Sequence, residues 1–445
     1  ILKLYICKLK RYNILMEICS IILSAGKGNR MLSSTPKPLH LISGKTMLQW
    51  VVDANNSAGI KKKIIVVPNK FDNIDTHNQN LDTIIQKKPM GTGDAVKRAI
   101  SLLNYFEGAV IICFADTPFI TSKTLKKILK SLKNDNDLVL TGFKKNEKNN
   151  YGKIIFDNEK KPYEILEHKD PKRKNINSNF CNGGIMGIHS SSLIYLNKIK
   201  KNLLSGEFYL TDIVKILSNE NKKISIIEID EKEIMGINTQ LDLSMAEGIS
   251  QNLIRNKTLK NGVKLIDPNS TFINHDTKFG KDIIIHPNVV FGNNVVIDSC
   301  VEIKSFSHIE ECRIKKGSII GPFARIRGKS IIGEESKVGN FVEIKKSNIS
   351  KKVKINHLSY IGDTEIGSST NIGAGTITCN YDGRNKNKTT IGKNTFVGSN
   401  STIIAPIKIG DNVTMGAGSV FNKNIPKNNL SIGRAYQINK KNKKN

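Results

Sequence analysis

The sequence predicts an α/β domain followed by a parallel β-helix. Two observations carry that reading. In the first half, short apolar runs suited to buried strands alternate with helical stretches. In the second half an aliphatic or similar residue recurs at every sixth position from Ile285 to about Phe421, with one-residue slips before Ile314, Ile349 and Ile366 and an insertion before Ile391, a period that fits neither a helix nor a simple sheet alternation. At 445 residues the chain has room for roughly two or three domains, and a hydrophobic content of 38% suffices for their cores.

Residues 1–15 are apolar but broken by Lys3, Lys8, Lys10 and Arg11, too short and interrupted to span a membrane. No cleavage-site pattern follows. An apolar strand begins directly after Met16, so Met16 reads as the natural start and 1–15 as an upstream extension. The cysteines Cys7, Cys19, Cys113, Cys181, Cys300, Cys312 and Cys379 form no C-x-x-C pair and accompany no export signal; reduced thiols and a cytoplasmic location are expected, with no membrane partner. The net charge of +30 raises nucleic acid as a partner. The lysines, however, are scattered through the chain with no aromatic-interleaved patch, so no nucleic-acid partner is expected.

The α/β domain is expected over 16–240. Ile18–Leu23, Lys63–Val67, Ala109–Phe114 and Asp137–Thr141 read as buried strands, and Gly93–Leu103 as a helix. The first strand runs into Ser24-Ala-Gly-Lys-Gly-Asn-Arg-Met31. Gly26 and Gly28 let backbone N–H groups close around phosphate oxygens, and Arg30 adds a planar charged donor. No Gly-Lys-Ser/Thr closes the turn, so it is not a P-loop. Thr35-Pro-Lys-Pro-Leu39 places Lys37 just beyond it. Asp116, before Thr-Pro, suits a strand-end carboxylate capping a turn. From Gln240 to about Asn256 the pattern is helical, with Leu241, Met245, Ile249 and Ile254 on one face; a linker helix is expected over 241–262.

The β-helix is expected over 263–434. Each hexad supplies a short strand and a corner. The aliphatic points inward, and the Gly that often follows it, as at Gly292, Gly333, Gly339, Gly373 and Gly398, suits a corner with positive φ. Hexads closing a triangular coil bury a continuous column of Ile and Val. Lateral apolar faces remain, and closed cyclic association is the usual way to cover them. Three motifs interrupt the repeat and are not needed for folding: Arg325-Ile-Arg327, Asn356-His-Leu-Ser-Tyr360, and an insertion near 373–390 carrying Cys379-Asn-Tyr-Asp-Gly-Arg-Asn-Lys386. On its own His357 reads as a surface residue, and the insertion as a loose loop. The basic tail, 435–445, reads as a solvated charge run.

The Leu23-Ser-Ala-Gly-Lys-Gly-Asn-Arg-Met31 stretch followed by Pro36-Lys-Pro-Leu39 resembles the sugar-1-phosphate nucleotidyltransferases. With Gly91-Thr92-Gly93, Asp116-Thr-Pro118, Tyr151-Gly152, Glu167-His-Lys-Asp170, Asn182-Gly-Gly184, Gly236-Ile-Asn238 and the hexads behind them, the chain from Met16 onward is similar to the bacterial bifunctional N-acetylglucosamine-1-phosphate uridyltransferases and glucosamine-1-phosphate acetyltransferases. The resemblance implies a Rossmann-like nucleotidyltransferase domain, then a left-handed parallel β-helix of hexapeptide repeats in a homotrimer. It also implies acetyl transfer from acetyl-CoA to glucosamine-1-phosphate, then uridylyl transfer from UTP.

The resemblance further implies the site residues. Arg30 and Lys37 stabilise the triphosphate, and Asp116 and Asn238 hold Mg²⁺. Leu23, Ser24, Ala25, Gly26, Lys37, Gln86, Gly91, Thr92, Gly152, Glu167, Asn182 and Asn238 bind UTP and sugar. His357 is the acetyl-transfer base. Arg327, Lys345, Tyr360, Asn371 and Lys386 bind glucosamine-1-phosphate, and Ala374, Asn380, Tyr381, Ser399, Ala417 and Arg434 line the acetyl-CoA site. Phe208-Tyr-Leu-Thr-Asp212 matches a family segment that reads as structural. The chain departs from the family at Phe114-Ala115, where Tyr-Gly is usual, and at Gly183, where Thr is usual. Two other readings are a single-activity nucleotidyltransferase whose β-helix only assembles the oligomer, and a non-catalytic regulator. The joint presence of Arg30, Lys37, Asp116 and Asn238 opposes the second, and that of His357, Tyr360 and Asn380-Tyr381 the first.

Overall fold

The computed structural model describes residues 16–68, 81–147, 149–168, 170–175, 178–203 and 205–440. The expected extension 1–15 and the end of the basic tail lie outside the described residues. Contacts divide the chain into two compact units, Ile1–Ala246 and Glu247–Asn445.

In the first unit, β1 (Glu17–Leu23), β2 (Lys62–Val67), β3 (Leu81–Ile85), β4 (Gly108–Phe114), β5 (Leu138–Lys144), β6 (Lys153–Phe156), β7 (Pro162–Leu166), β8 (Phe180–His189) and β9 (Ile224–Glu228) form one sheet. Its main path runs β9-β5-β8-β4-β1-β2-β3, with β6 and β7 appended beside β8. β1 is parallel to both β2 and β4, and β8 runs antiparallel between β4 and β5. β1, β2 and β4 are buried on both faces, which is why they read as unbroken apolar runs. Burial pushes the Cys113 thiol in β4 up to about 11. The helices α1 (Met47–Ala58), α2 (Thr92–Ile100), α3 (Ser122–Lys133) and α4 (Asp212–Asn219) cover the sheet. The chain steps from β1 outward through β2 and β3, then returns to β4 on the other side of β1. That reversal makes the carboxyl ends of β1 and β4 the switch point where an open α/β sheet holds ligands.

α5 (Gln240–Lys260) corrects part of the expected helix face, of which Ile254 does pack against the β-helix core. Leu241 and Met245 are exposed, while Ala246, Ser250, Gln251, Arg255 and Thr258 are buried. Polar partners decide this. The Gln251 amide bonds both Ile273 N and Ile273 O at 3.0 Å, and Arg255 Nε donates to Thr271 O at 2.8 Å.

The second unit is a parallel β-helix of three ladders, ten, nine and eight strands deep, each strand pairing with the third one after it except at the last coil, where Thr414–Met415 pairs with Leu430–Ser431, the second one after it. The expected aliphatics sort by ladder: Ile285, Ile303, Ile320 and Val338 on the first, Phe291, Ile309, Ile326 and Ile344 on the second, Ile297, Ile314, Ile332 and Ile349 on the third. All lie in one continuous core. The break in the series at 378 is a buried Thr, whose hydroxyl accepts from Gly362 N–H at 2.8 Å in place of packing.

Of the glycines after the aliphatics Gly321 has the expected positive φ, +88, and the rest are there for a different reason. Gly339 has no positive φ, but a Cβ on it would lie 1.9 Å from Asn356 O of the next coil. Positive φ falls instead on residues such as Asn294, Phe306, Phe341, Leu358 and Asn412, directly before the small corner residue. Along one corner these form an exposed stack in which Phe306 meets Phe323 at 4.9 Å and Phe323 meets Phe341 at 5.1 Å.

Candidate active sites

At the switch point of the first unit opens a cleft of about 660 Å³. The turn after β1 brings Leu23, Ser24, Ala25 and Gly26 to it, and Lys37 follows. Gln86, Gly91 and Thr92 come from the entry to α2, Asp116 from the end of β4, and Glu167 and Asn182 from the β7 and β8 side. Arg30 and Asn238 line an adjoining recess that shares Gly26 and Lys37. Gly152 sits behind, its carbonyl accepting from Asn182 N–H at 2.8 Å. Gly28 has φ +65 and leaves no space for a side chain, since its Cβ would lie 2.9 Å from Lys37 Cβ. Ser24 Oγ is buried without a hydrogen-bond partner.

Opposite charges meet at the centre. The Lys37 ammonium pairs with the Asp116 carboxylate and donates to Asn238 Oδ1 at 2.8 Å. Arg30 Nη2 donates to the same Asn238 oxygen at 2.8 Å. Two oxygens far apart in sequence thus converge within reach of one cation. Asn238 is held by Asp242, whose Oδ2 accepts from Asn238 N–H and Thr239 N–H, both at 2.9 Å, while Asp242 N–H donates to Thr239 Oγ1 at 3.1 Å. This is the reciprocal cap of a helix start. Burial alone would raise the Asp242 carboxyl; the N–H groups of Asn238 and Thr239 outweigh it and hold the group below its ordinary value.

The segment read as structural, 208–212, also shapes the cleft. Tyr209, Leu210 and Thr211 line it, Thr211 Oγ1 donates to Glu167 Oε1 at 2.8 Å, and Leu210 N–H donates to Thr92 Oγ1 at 3.1 Å. Its own motif was the available signal. Phe114 lies 3.4 Å from where a Cβ on Gly184 would sit, and a Cβ on Gly183 would meet Thr141 Oγ1 at 2.5 Å, so Thr141 fills the space a residue-183 side chain would need.

In the β-helix, Asn340 and His357 are paired in register on the first ladder, and His357 Nδ1 lies 2.7 Å from Asn340 Oδ1. Because Ile355, Ile372, Val397 and Met415 stack, the residues two places on, His357, Ala374, Ser399 and Ala417, share one corner on successive coils. Their carbonyls accept in turn from Gly375 N–H at 3.3 Å, Asn400 N–H at 2.7 Å, Gly418 N–H at 2.8 Å and the Arg434 guanidinium. On the second ladder Arg327 pairs with Lys345, and Glu343 with Tyr360. Arg327 Nε donates to Glu343 Oε1 at 2.7 Å. The Lys386 ammonium beside Lys345 is the foremost cause holding the Lys345 amine below its ordinary value. Asn371 stays apart, on the first ladder. The insertion is ordered, not loose: Tyr381 bridges to Lys386, Asp382 Oδ1 accepts from Arg384 N–H at 2.8 Å and Asn385 N–H at 2.7 Å, and Asn380 Nδ2 donates to Asp363 at 2.5 Å.

Comparison with known proteins fits both halves. A family model described as a MobA-like NTP transferase domain matches residues 20–172, and one described as bacterial transferase hexapeptide matches 311–346 and 388–423. The bifunctional protein GlmU of Zymomonas mobilis is 38% identical over 428 residues, spanning 95% of this chain and 95% of the relative. That of Anaplasma marginale is 40% identical over 426 residues, spanning 94% and 98%. That of Clostridium kluyveri is 39% identical over 447 residues, spanning 96% and 98%. The chain belongs to the GlmU family. It is a bifunctional transferase, with a nucleotidyltransferase domain and a left-handed β-helix of hexapeptide repeats that forms the acetyltransferase domain. Among the described residues no helix is long and apolar enough to cross a membrane.

Proposed function

We propose that this GlmU-family chain moves acetyl from acetyl-CoA to the amine of glucosamine-1-phosphate, and then moves uridylyl from UTP to N-acetylglucosamine-1-phosphate with release of pyrophosphate. In the first step the amine nitrogen attacks the thioester carbon, the carbon–sulfur bond breaks, and the thiol leaves. His357, its Nδ1 side engaged by Asn340, takes the proton from the substrate ammonium at its other nitrogen. Arg327 and the paired ammoniums of Lys345 and Lys386 attract the sugar phosphate, with Tyr360 and Asn371 as further contacts. The corner of Ala374, Ser399 and Ala417 offers acetyl-CoA a straight track ending at His357, flanked by Asn380, Tyr381 and Arg434.

In the second step the turn Leu23–Gly26, Arg30 and Lys37 hold the triphosphate. Gln86, Gly91 and Thr92 take the base, and Gly152, Glu167 and Asn182 the sugar. The residues present fit Mg²⁺. Asp116 and Asn238 offer two hard oxygens converging where a cation already sits, and among the described residues no cluster of three His, Cys, Asp or Glu competes for it. Bound there, Mg²⁺ would neutralise phosphate charge as the displacement proceeds. We assign the domains to 16–240, the linker helix to 241–262, the β-helix to 263–434 and the tail to 435–445, and place the protein in the cytoplasm. A homotrimer would cover the exposed Phe306, Phe323 and Phe341 stack and bring Asn371 toward another chain's phosphate site.

The single observation that carries this reading is the convergence of Lys37, Asp116, Asn238 and Arg30 on one point of the cleft. The experiment is a two-substrate assay on the purified chain with and without a metal chelator. Chelation is expected to stop uridylyl transfer and leave thiol release from acetyl-CoA intact. Loss of both activities together would refute the metal assignment.

A further inference from the structure

At the base end of the cleft one amide is oriented by the expected Gly91 and by Asp94, which no expectation singled out. Gln86 is 2% exposed and lines the cleft. Its Nε2 has two hydrogens. One reaches Gly91 O at 3.2 Å and the other reaches Asp94 Oδ2 at 2.7 Å. Both acceptors lack a proton to give, so the amide cannot turn over without placing oxygen against oxygen. Gly91 can present its carbonyl there because its φ is +101, and a side chain would clash, its Cβ lying 2.5 Å from Phe208 O. Asp94 is fixed in turn: it stands in the first turn of α2, and Arg98 Nε donates to the same Oδ2 at 2.9 Å. The Asp94 side chain is 16% exposed and the Arg98 side chain 43%. What Gln86 has left for a ligand is Oε1, a pure acceptor with no donor on it among the described residues.

We infer that Asp94 is a specificity-determining positioning residue, holding Gln86 Oε1 toward the base so that the cleft accepts uracil and refuses cytosine. This rests on the reading above that the base lies at Gln86. Uracil presents N3–H, a donor, between two carbonyl oxygens. Cytosine presents N3 as a lone pair, which meets Gln86 Oε1 acceptor to acceptor. A polar group left unpaired in a dry site is the strongest basis for rejecting a near-isostere. Asp94 touches neither substrate and acts through the amide alone.

The test uses the full chain, with UTP and CTP as probes, and reads kcat and KM for each. In Asp94→Asn the new amide can donate to Gln86 Oε1, letting Gln86 turn its NH₂ to the base. The UTP-over-CTP ratio of kcat/KM is expected to fall by about tenfold or more, carried by a higher KM for UTP and a lower one for CTP. Acetyl transfer, measured on the same sample, serves as the folding control. A ratio that stays within about twofold, or equal losses on both nucleotides, overturns the proposal. Should Asp94→Asn fail to fold, Asp94→Ala is read by the same criterion. Gln86→Ala separates the two levels. If it abolishes discrimination while Asp94→Asn does not, Asp94 has no such role and the base still lies at Gln86. If it leaves discrimination unchanged, the base is elsewhere and both readings fall.

Discussion

The Lys37 ammonium answers two oxygens that no stretch of the sequence brings together, those of Asp116 and Asn238. Charge arranged this way acts only where it sits, so loss of one member should disable one reaction and spare the other. Asp116→Asn is expected to lower uridylyl transfer by about a hundredfold or more while thiol release from acetyl-CoA stays at the parent rate. His357→Ala should do the reverse, costing acetyl transfer about 10² to 10⁴-fold. Paired assays on each variant check both, and equal loss of the two activities in a folded variant would contradict the assignment. At this scale the sequence was legible where residues stand in one motif, as from Leu23 to Lys37. It was not legible for Thr141 or Asp94, whose partners Ile185 and Gln86 are contributed by folding.

Elements carry a different set of constraints. The cap that starts α5 joins Asp242 to the backbone of Asn238, so it supports both the helix and the cleft. Asp242→Ala is expected to cost about 1 kcal/mol at neutral pH. The Asp242 carboxyl is lowered in the folded chain, so its contribution is present above the ordinary carboxylate range and is lost as pH falls through the folded value. Urea midpoints of parent and variant should therefore converge below about pH 4. Glycine gives a second contrast. Gly339→Ala drives a methyl to 1.9 Å from Asn356 O and is expected to cost about 3 kcal/mol or more. Gly248→Ala, in α5 with nothing within 4 Å, should stabilise by about 0.5–1 kcal/mol. Thermal melts of both variants decide it, and a stable Gly339→Ala would remove the close-approach argument. Hexads announce themselves because the buried aliphatic repeats. The distance between coils leaves no such mark, so the pattern points to φ instead of close approach. The buried face of α5 escaped for a related reason: Gln251 and Arg255 go inward to meet backbone groups of Ile273 and Thr271, and apolar pattern alone cannot foresee that.

For the whole molecule the fold order was legible, since both halves have periodic or motif signals that survive without partners. The corner shared by His357, Ala374, Ser399 and Ala417 was not, because the insertion after Cys379 makes their spacing uneven in the chain although they are level in the coil. If the acetyl site is shared between chains of a trimer, mixing His357→Ala protein with Arg434→Ala protein under subunit exchange should restore part of the acetyl transfer, because some mixed sites carry both intact residues. A sedimenting monomer, or no recovery despite proven exchange, would count against it. That corner also makes the β-helix a graduated scale. Neighbouring marks are one sheet hydrogen bond apart, about 4.8 Å, so the stretch from His357 to Ala417 measures about 14 Å. A donor with a longer or shorter arm could be matched only by adding or removing a complete turn of the coil, in steps of that one size.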